Sequence, residues 1–201
     1  RSSAMSIHHR ERPLQLTTGA RRDSMVVLAL VALGSIPLIA GMLRLVQLAG
    51  GPALLPPDQR FAGLPLLIAV HILGATLFIL LGALQFASGF RRRYPVWHRR
   101  AGRVVYVAGL VVAISALCMT LLYSQKPGTG DLLYAMRLFF SSLMGMSLIL
   151  GFAAIRHRDI PTHRAWMIRA YAIVLAAGTQ SFTGGISAAL FGVGVLQDDL
   201  A

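Results

Sequence analysis

Apolar residues fall into five long runs that are separated by polar segments. The runs cover residues 25–48, 64–86, 101–123, 132–155 and 165–186. A bilayer core requires about 20 apolar residues in a helix, and an open strand would leave backbone polar groups unpaired in lipid. The pattern therefore predicts an all-α integral membrane protein with five transmembrane helices.

Composition supports this class of protein. Hydrophobic residues make up 56% of the chain and charged residues only 13%, and the mean hydropathy is +0.67. The net charge of +12 would suggest nucleic-acid binding in a soluble chain. Here the basic residues cluster between apolar runs, where membrane topology explains them. We therefore expect contact with the lipid bilayer and its anionic headgroups, and no nucleic acid.

The arginines also predict an orientation. They are abundant before the first run, between the second and third, and between the fourth and fifth, whereas the other two connections carry only Arg60 and Lys126. The positive-inside rule then gives a cytoplasmic N-terminus and an external C-terminus in a bacterial cytoplasmic (inner) membrane. We expect a basic cytoplasmic segment at 1–24, a transmembrane domain at 25–186 and a short external tail at 187–201.

One short pattern occurs twice, each time before a long apolar run. Each copy has a Pro, a His-Arg pair, a further Arg, and a Tyr eight residues after the His. The copies are Pro95, His98, Arg99, Arg103 and Tyr106, and Pro161, His163, Arg164, Arg169 and Tyr171. The repetition predicts a four-helix core of two parallel helix-hairpin repeats, to which the first helix is added. Chance similarity between two Arg-rich loops is the alternative.

The two motif histidines suggest a cofactor. His98 and His163 lie at equal depth on different predicted helices, which is the arrangement that the axial ligands of a haem b need. The neighbouring Arg99, Arg103, Arg164 and Arg169 would bind propionate or another anion, and Tyr106 and Tyr171 are counted with this candidate site. In the alternative interpretation the arginines set topology and touch anionic lipid, the tyrosines form an interfacial belt, and the histidines hydrogen-bond to carbonyls.

Two polar residues lie inside predicted spans at matching places in the two repeats. His71 and Arg137 precede their motif histidines by 27 and 26 residues, and intramembrane ionisable residues are functional candidates. They could hold a quinone headgroup or a small anion. Alternatively, Arg137 snorkels outwards and His71 satisfies a nearby carbonyl. We interpret Gln85 as an ordinary interhelical hydrogen-bonding residue.

The residues also resemble a known family. The matching elements are His71 with Gly74, Gly82-Ala83-Leu84-Gln85-Phe86, His98-Arg99 with Gly102-Arg103, and His163-Arg164-Ala165-Trp166-Met167-Ile168-Arg169. This order is similar to an uncharacterised family of predicted bacterial membrane proteins, catalogued as a domain of unknown function. The resemblance implies a multi-span inner-membrane protein and no particular activity. More loosely, the architecture resembles four-helix cytochromes of the b561 and ferric-reductase kind, but the chain lacks two full histidine pairs within its spans.

The residues together favour a membrane redox protein, or a subunit of a redox complex, that binds haem b, quinone or both. Two other classes stay open. One is a non-enzymatic membrane protein or accessory subunit that binds lipid or a larger membrane complex. The other is a small anion or metabolite transporter, for which five spans are few unless the protein forms a homo-oligomer. The sequence leaves open whether the protein is an enzyme.

Overall fold

The structure is a computed structural model that describes residues 14–56, 58–124 and 130–191, with side chains described between residues 21 and 179. Every regular element in these ranges is helical. The elements are α1 (Leu14–Leu48), a 3₁₀ turn (Gln59–Phe61), α2 (Pro65–Gln85), α3 (Ser88–Arg93), α4 (Pro95–Leu122), α5 (Asp131–Arg156) and α6 (Ile160–Phe191). The all-helical class is therefore confirmed.

Four helices in the described part of the chain are long and apolar enough to cross a membrane. They are the Arg21–Leu48 portion of α1, and α2, α4 and α5. The protein is thus a membrane protein with apolar spanning helices. Helix α6 contains the predicted fifth span, and a count of five spans stays a prediction. The predicted tail 187–201 begins within α6, and residues 192–201 of that tail lie outside the described residues.

Three helices begin well before their apolar runs, and the first is α1, which starts at Leu14 rather than at residue 25. Helix α4 starts at Pro95 rather than at residue 101, and α6 starts at Ile160 rather than at 165. Proline is well suited to the first turn of a helix because its missing N–H would have no partner there. The consequence is that both motif histidines lie within first helical turns and not in loops.

The connection between the second and third runs contains a helix that the apolar pattern does not predict. This helix, α3, packs through Phe90 against the rings of Tyr94 and Trp97, at centroid distances of 5.0 and 4.8 Å. Asp23 of α1 accepts hydrogen bonds from the Ser88 hydroxyl and the Gly89 amide. The start of α3 is therefore tied to α1.

The helices pack as two adjacent hairpins with α1 across them. Helix α2 packs most extensively against α4, and α5 against α6, while α4 and α5 join the two pairs. Helix α1 packs on both α2 and α6. Two neighbouring hairpins are what the predicted duplication requires, although the internal repeat itself stays a prediction.

The core depends on a large aromatic ring of α6 that packs against a glycine of α2. Tyr171 of α6 is only 4% exposed, and its ring lies so close to Gly82 of α2 that a Cβ there would be 2.6 Å from Cε2. The Tyr171 hydroxyl donates a hydrogen bond to the carbonyl of Ile79 at 2.8 Å. Phe78 and Phe86 pack on the same ring. Small residues allow this approach where lipid provides no hydrophobic force between helices.

The other end of the bundle is closed by the 3₁₀ turn. The Phe61 ring lies between the guanidinium groups of Arg44 and Arg60, with centroid distances of 5.4 and 5.5 Å, and packs edge-on against Tyr123. Arg44 also donates to the Pro56 carbonyl at 3.1 Å. These contacts fix the first connection to the ends of α1 and α4.

We predict that Gly82→Ala destabilises the protein by about 1–3 kcal/mol, the usual range for overpacking a core. The Tyr171 ring cannot move aside easily, because its hydroxyl is held by Ile79 and its faces by phenylalanines. Thermal unfolding of the purified protein in detergent measures the change.

The matched control is Gly145→Ala, where the new Cβ would meet only Ala113 Cβ at an ordinary 3.7 Å. Both variants replace a helical glycine by alanine. The stabilisation that comes from the higher helix propensity of alanine is therefore similar in the two. Equal stability of the two variants would contradict the importance of the Tyr171–Gly82 contact.

Candidate functional site

The candidate site lies where α2 ends and α4 and α6 begin, which we call the basic end. Exposed arginines surround it on α3, α4, α5 and α6. They are Arg91, Arg92, Arg93, Arg99, Arg100, Arg156, Arg158 and Arg164. The Phe86 ring, at the end of α2, packs on the ring of Tyr171 further along α6, with centroids 5.0 Å apart. The site therefore combines an apolar floor with a strongly basic rim.

His163 is held in one orientation by the neighbouring helix. Its Nδ1 lies 2.8 Å from the carbonyl oxygen of Gly151 on α5. Because a carbonyl only accepts, Nδ1 carries the hydrogen. Nε2 has no hydrogen-bond partner among the described residues, so it is left as the free nitrogen. Gly151 permits the close approach, because a Cβ at that position would be 3.2 Å from Trp166 Cβ.

The turn between α5 and α6 places His163 opposite Gly151. It consists of residues 157–159, and Arg158 adopts the left-handed conformation with φ 58°. Asp159 then caps α6 by accepting a hydrogen bond from the Thr162 amide at 3.1 Å. Hydrogen bonds from Thr162 hold the pKa of Asp159 below its usual value. This cap fixes the first turn of α6, on which His163 lies.

His98 occupies the corresponding place on α4. Each histidine is the fourth residue of its helix, and each backbone amide donates to the residue before the helix, at 3.0 Å to Tyr94 for His98 and 3.0 Å to Asp159 for His163. His98 is half-buried. Its ring forms no hydrogen bond within the described residues, and it lies close enough to His163, Arg91 and Arg99 to interact with them electrostatically. The two motif histidines thus interact electrostatically, but no hydrogen bond joins their rings in the described part of the chain. Helices α4 and α6 do not pack extensively on each other, and both pack on α2 and α5.

Positive charge at the basic end is only partly offset by nearby carboxylates, of which Asp23 interacts electrostatically with Arg92. Asp23 accepts hydrogen bonds from Ser88 and Gly89, and Asp159 accepts one from Thr162. Neither forms an ion pair with an arginine in the described ranges. The site therefore favours an anionic ligand or an anionic substituent of a ligand.

A buried amide beside this site has no partner. Nε2 of Gln85, the last residue of α2, is buried and unpaired as far as the structure is described. Its Oε1 faces Gly102, where a Cβ would be 3.6 Å away, and Gly102 lies one helical turn beyond His98. An unpaired buried donor costs about 1–3 kcal/mol. The sequence predicts an ordinary interhelical hydrogen-bonding residue at Gln85, and only the structure shows that its Nε2 lacks a partner among the described residues.

The four predicted anion-binding arginines are not equivalent. Arg99 and Arg164 are exposed next to the histidines. Arg169 places its guanidinium over the Trp166 ring, 4.5 Å from the centroid. Arg103 lies five residues after His98, about 140° around the helix, and lines a groove between α2 and α4. Arg99 and Arg164 are thus the arginines that the structure leaves free beside the histidines.

The two predicted tyrosines have different surroundings. Tyr106 is half-buried and stacks on Phe152 of α5, with centroids 4.8 Å apart. Tyr171 is buried in the core, and its hydroxyl is engaged by the Ile79 carbonyl. Tyr171 therefore acts in packing, beneath the site.

His71 and Arg137 have separate partners. His71 Nδ1 lies 2.9 Å from the Ser115 hydroxyl of α4, which itself donates to the Val111 carbonyl at 2.6 Å. Ser115 therefore accepts from His71 Nδ1. Arg137 is exposed on α5, with Arg60 as a charged neighbour. No hydrogen bond links His71 to Arg137 in the part of the chain that is described, and sequence reasoning had overlooked Ser115.

A cluster of three or more metal-ligating side chains does not occur among the described residues. The histidine pair at the basic end is therefore the candidate that remains for holding a metal centre, and it would supply two ligands.

The comparison with protein families identifies the chain. The model of the predicted membrane protein family DUF2306 matches residues 68–197, which includes the histidine motifs and most of the helices. The chain belongs to this family. Neither the curated proteins nor the solved structures contain a match to this DUF2306 protein. The looser similarity to b561-type cytochromes is not shown, so it carries no argument below.

We predict that Asp159→Ala loosens the first turn of α6, whereas Asp159→Asn, which keeps an acceptor oxygen, changes it little. Faster hydrogen exchange of the Thr162 amide is the expected readout. The pKa of Asp159 is lowered in the folded protein. The hydrogen bond to Thr162 therefore contributes its full stabilisation of α6 at pH values above the pKa of Asp159 in the unfolded chain. Its contribution is lost only as pH falls through the lowered folded value.

Asp131→Ala is the control, since Asp131 is also an exposed acidic residue in the first turn of a helix. It should leave exchange in α6 unchanged. A normal exchange rate at Thr162 in Asp159→Ala would contradict the capping role.

Proposed function

We propose that the protein is a membrane redox protein that binds haem b at the basic end, with His163 and His98 as axial ligands. The observation that carries the proposal is the hydrogen bond by which the Gly151 carbonyl fixes Nδ1 of His163. His98 supports it, because its ring interacts electrostatically with His163 and forms no hydrogen bond among the described residues. Haem-binding histidines use a neutral imidazole nitrogen whose ring is oriented by a hydrogen bond from the other nitrogen.

The residues around the histidines fit such a group. Gly102 lies one helical turn from His98, and it faces Gln85, whose Nε2 is buried and unpaired among the described residues. Gln85 thus offers a buried donor, and Gly102 offers space near the proposed ligand. Arg99 and Arg164 are exposed and free of carboxylate partners, so they are suited to pair with propionates. Arg103 and Tyr171 have other surroundings and are not part of the proposal.

Haem b, when bound, supplies one-electron transfer. The chain's own residues have three tasks. The Gly151 carbonyl keeps His163 in a single orientation, the arginines supply positive charge next to the cofactor, and the aromatic floor of Phe86 and Tyr171 excludes water. A quinone at His71 and Arg137 is not included, because these two residues have separate partners.

The absorption spectrum of the detergent-purified protein tests this proposal, with haem supplied during expression. We expect a sharp band after dithionite reduction. His98→Ala and His163→Ala should each reduce the bound haem to near background, because each removes one axial ligand.

The matched control is His157→Ala, an exposed histidine at the end of α5 on the same side of the bundle. It should retain the full spectrum. A colourless but monodisperse wild-type protein would overturn the proposal, and the non-enzymatic lipid- or partner-binding class would take its place. Equal loss of haem in His157→Ala would show nonspecific binding and would also overturn it.

We further propose a bacterial inner-membrane topology with five spans, α6 being the fifth, a cytoplasmic N-terminus and an external C-terminus. Its support is the distribution of arginines, since the basic end would face the cytoplasm. The two hairpins α2–α4 and α5–α6 would then be parallel repeats.

Labelling of single cysteines in intact cells tests this topology in a Cys118→Ser background, which removes the chain's one cysteine. A membrane-impermeant maleimide should label Gly63→Cys and Asp198→Cys from outside, and Arg100→Cys only after permeabilisation. Labelling of all three after permeabilisation is the control. Labelling of Arg100→Cys but not of Gly63→Cys in intact cells would reverse the orientation, and protection of Asp198→Cys would remove the fifth span.

A further inference from the structure

We propose that the groove between α2 and α4 on the outside of the bundle is a binding site for one anionic phospholipid. The groove has a volume of about 490 Å³. It lies on a different face of α4 from His98 and is separate from the proposed haem site. The proposal therefore does not depend on haem binding.

One residue that lines the groove, on α2, has no side chain and lies close to α4. Its wall on α2 includes Leu73, Gly74 and Leu77, and its wall on α4 includes Val107 and Val111. Gly74 is buried, and a Cβ there would lie 3.2 Å from Val111 Cγ1. Leu73 and Val107 are 54% and 58% exposed, so they form exposed rims, and the buried Gly74 lies between them. This shape suits a single acyl chain lying along the helices.

Arg103 is the charged residue that lines the groove. It is exposed, and it has no ion pair or hydrogen bond within the ranges that are described. Because α4 begins at the basic end, Arg103 lies at that end of the groove, and Val111 is eight residues or about 12 Å further along. A positive charge at one end of an apolar channel matches a phosphate headgroup with its acyl chain below it.

Charge complementarity selects the occupant. A quinone carries no negative charge to pair with Arg103, so it would use the apolar channel alone. A second copy of the chain would have to bring a free carboxylate, but Asp23 and Asp159 near the basic end are already engaged. An anionic lipid supplies both the charge and the chain, and a basic residue near the membrane surface is worth about 1 kcal/mol with such lipids.

Native mass spectrometry of the delipidated protein in detergent tests the site, with dioleoylphosphatidylglycerol and dioleoylphosphatidylcholine added separately. We expect one tightly bound phosphatidylglycerol per chain. Arg103→Gln should weaken its binding about fivefold and leave phosphatidylcholine unaffected. Arg103→Lys should retain the preference because it keeps the charge.

Arg100→Gln is the matched charge control, since Arg100 is exposed one turn away but does not line the groove. Val107→Trp, which fills the channel, should weaken binding of both lipids. Ile114→Trp changes a similarly exposed residue that does not line the groove, and it should have no effect.

Three results would overturn the proposal. Equal loss of phosphatidylglycerol in Arg100→Gln and Arg103→Gln would show diffuse attraction. Unchanged binding in Val107→Trp, with normal elution from gel filtration, would show that no chain occupies the groove. Dimers that form in the wild type but not in Val107→Trp, in the absence of lipid, would assign the groove to a second copy.

Discussion

The contact of Tyr171 with Gly82 joins α6 directly to α2, in addition to the α4–α5 contact that joins the same two hairpins. In lipid, apolar surface alone gives little reason for one helix to choose another, so close packing of large on small residues decides the arrangement. Tyr171 meets α2 through its ring and through its hydroxyl on Ile79. This contact holds α6 against the last turns of α2, and the short connection through α3 leads from there into α4.

Much of the fold could be predicted because length and apolarity are local properties of the chain. The runs at 64–86, 101–123 and 132–155 correspond to α2, α4 and α5. Apolarity does not show where a helix such as α4 begins, because Pro95 and the polar residues after it are helical but do not belong to an apolar run. Helix α3 was missed for the same reason, since its stability comes from rings of α4 and from Asp23, far away in sequence.

The candidate site was only partly predictable. The repeated His-Arg pattern identified the two histidines, but their partners are set by tertiary contacts. The carbonyl of Gly151 carries no sequence signal, because every residue has one. Ser115 is an ordinary small residue until His71 is seen against it. The separation of Arg103 from His98 could have been found from the sequence, since five residues turn a helix by about 140°.

The two copies of the motif differ in a way that matters for the proposed haem. A shift of 65 residues relates His98 to His163, and the same shift relates Phe86 to Gly151. At Gly151 the absent side chain lets α6 approach α5, and the Gly151 carbonyl accepts a hydrogen bond from His163. At Phe86 the ring instead packs on Tyr171, and His98 has no such anchor in the described structure. If haem were bound at the basic end, His163 would supply a nitrogen whose ring is oriented by Gly151, and His98 would supply one without such a hydrogen bond in the described structure. The two copies of the motif would then contribute unequally, one by a fixed ring and the other by a ring that neighbouring groups do not hold.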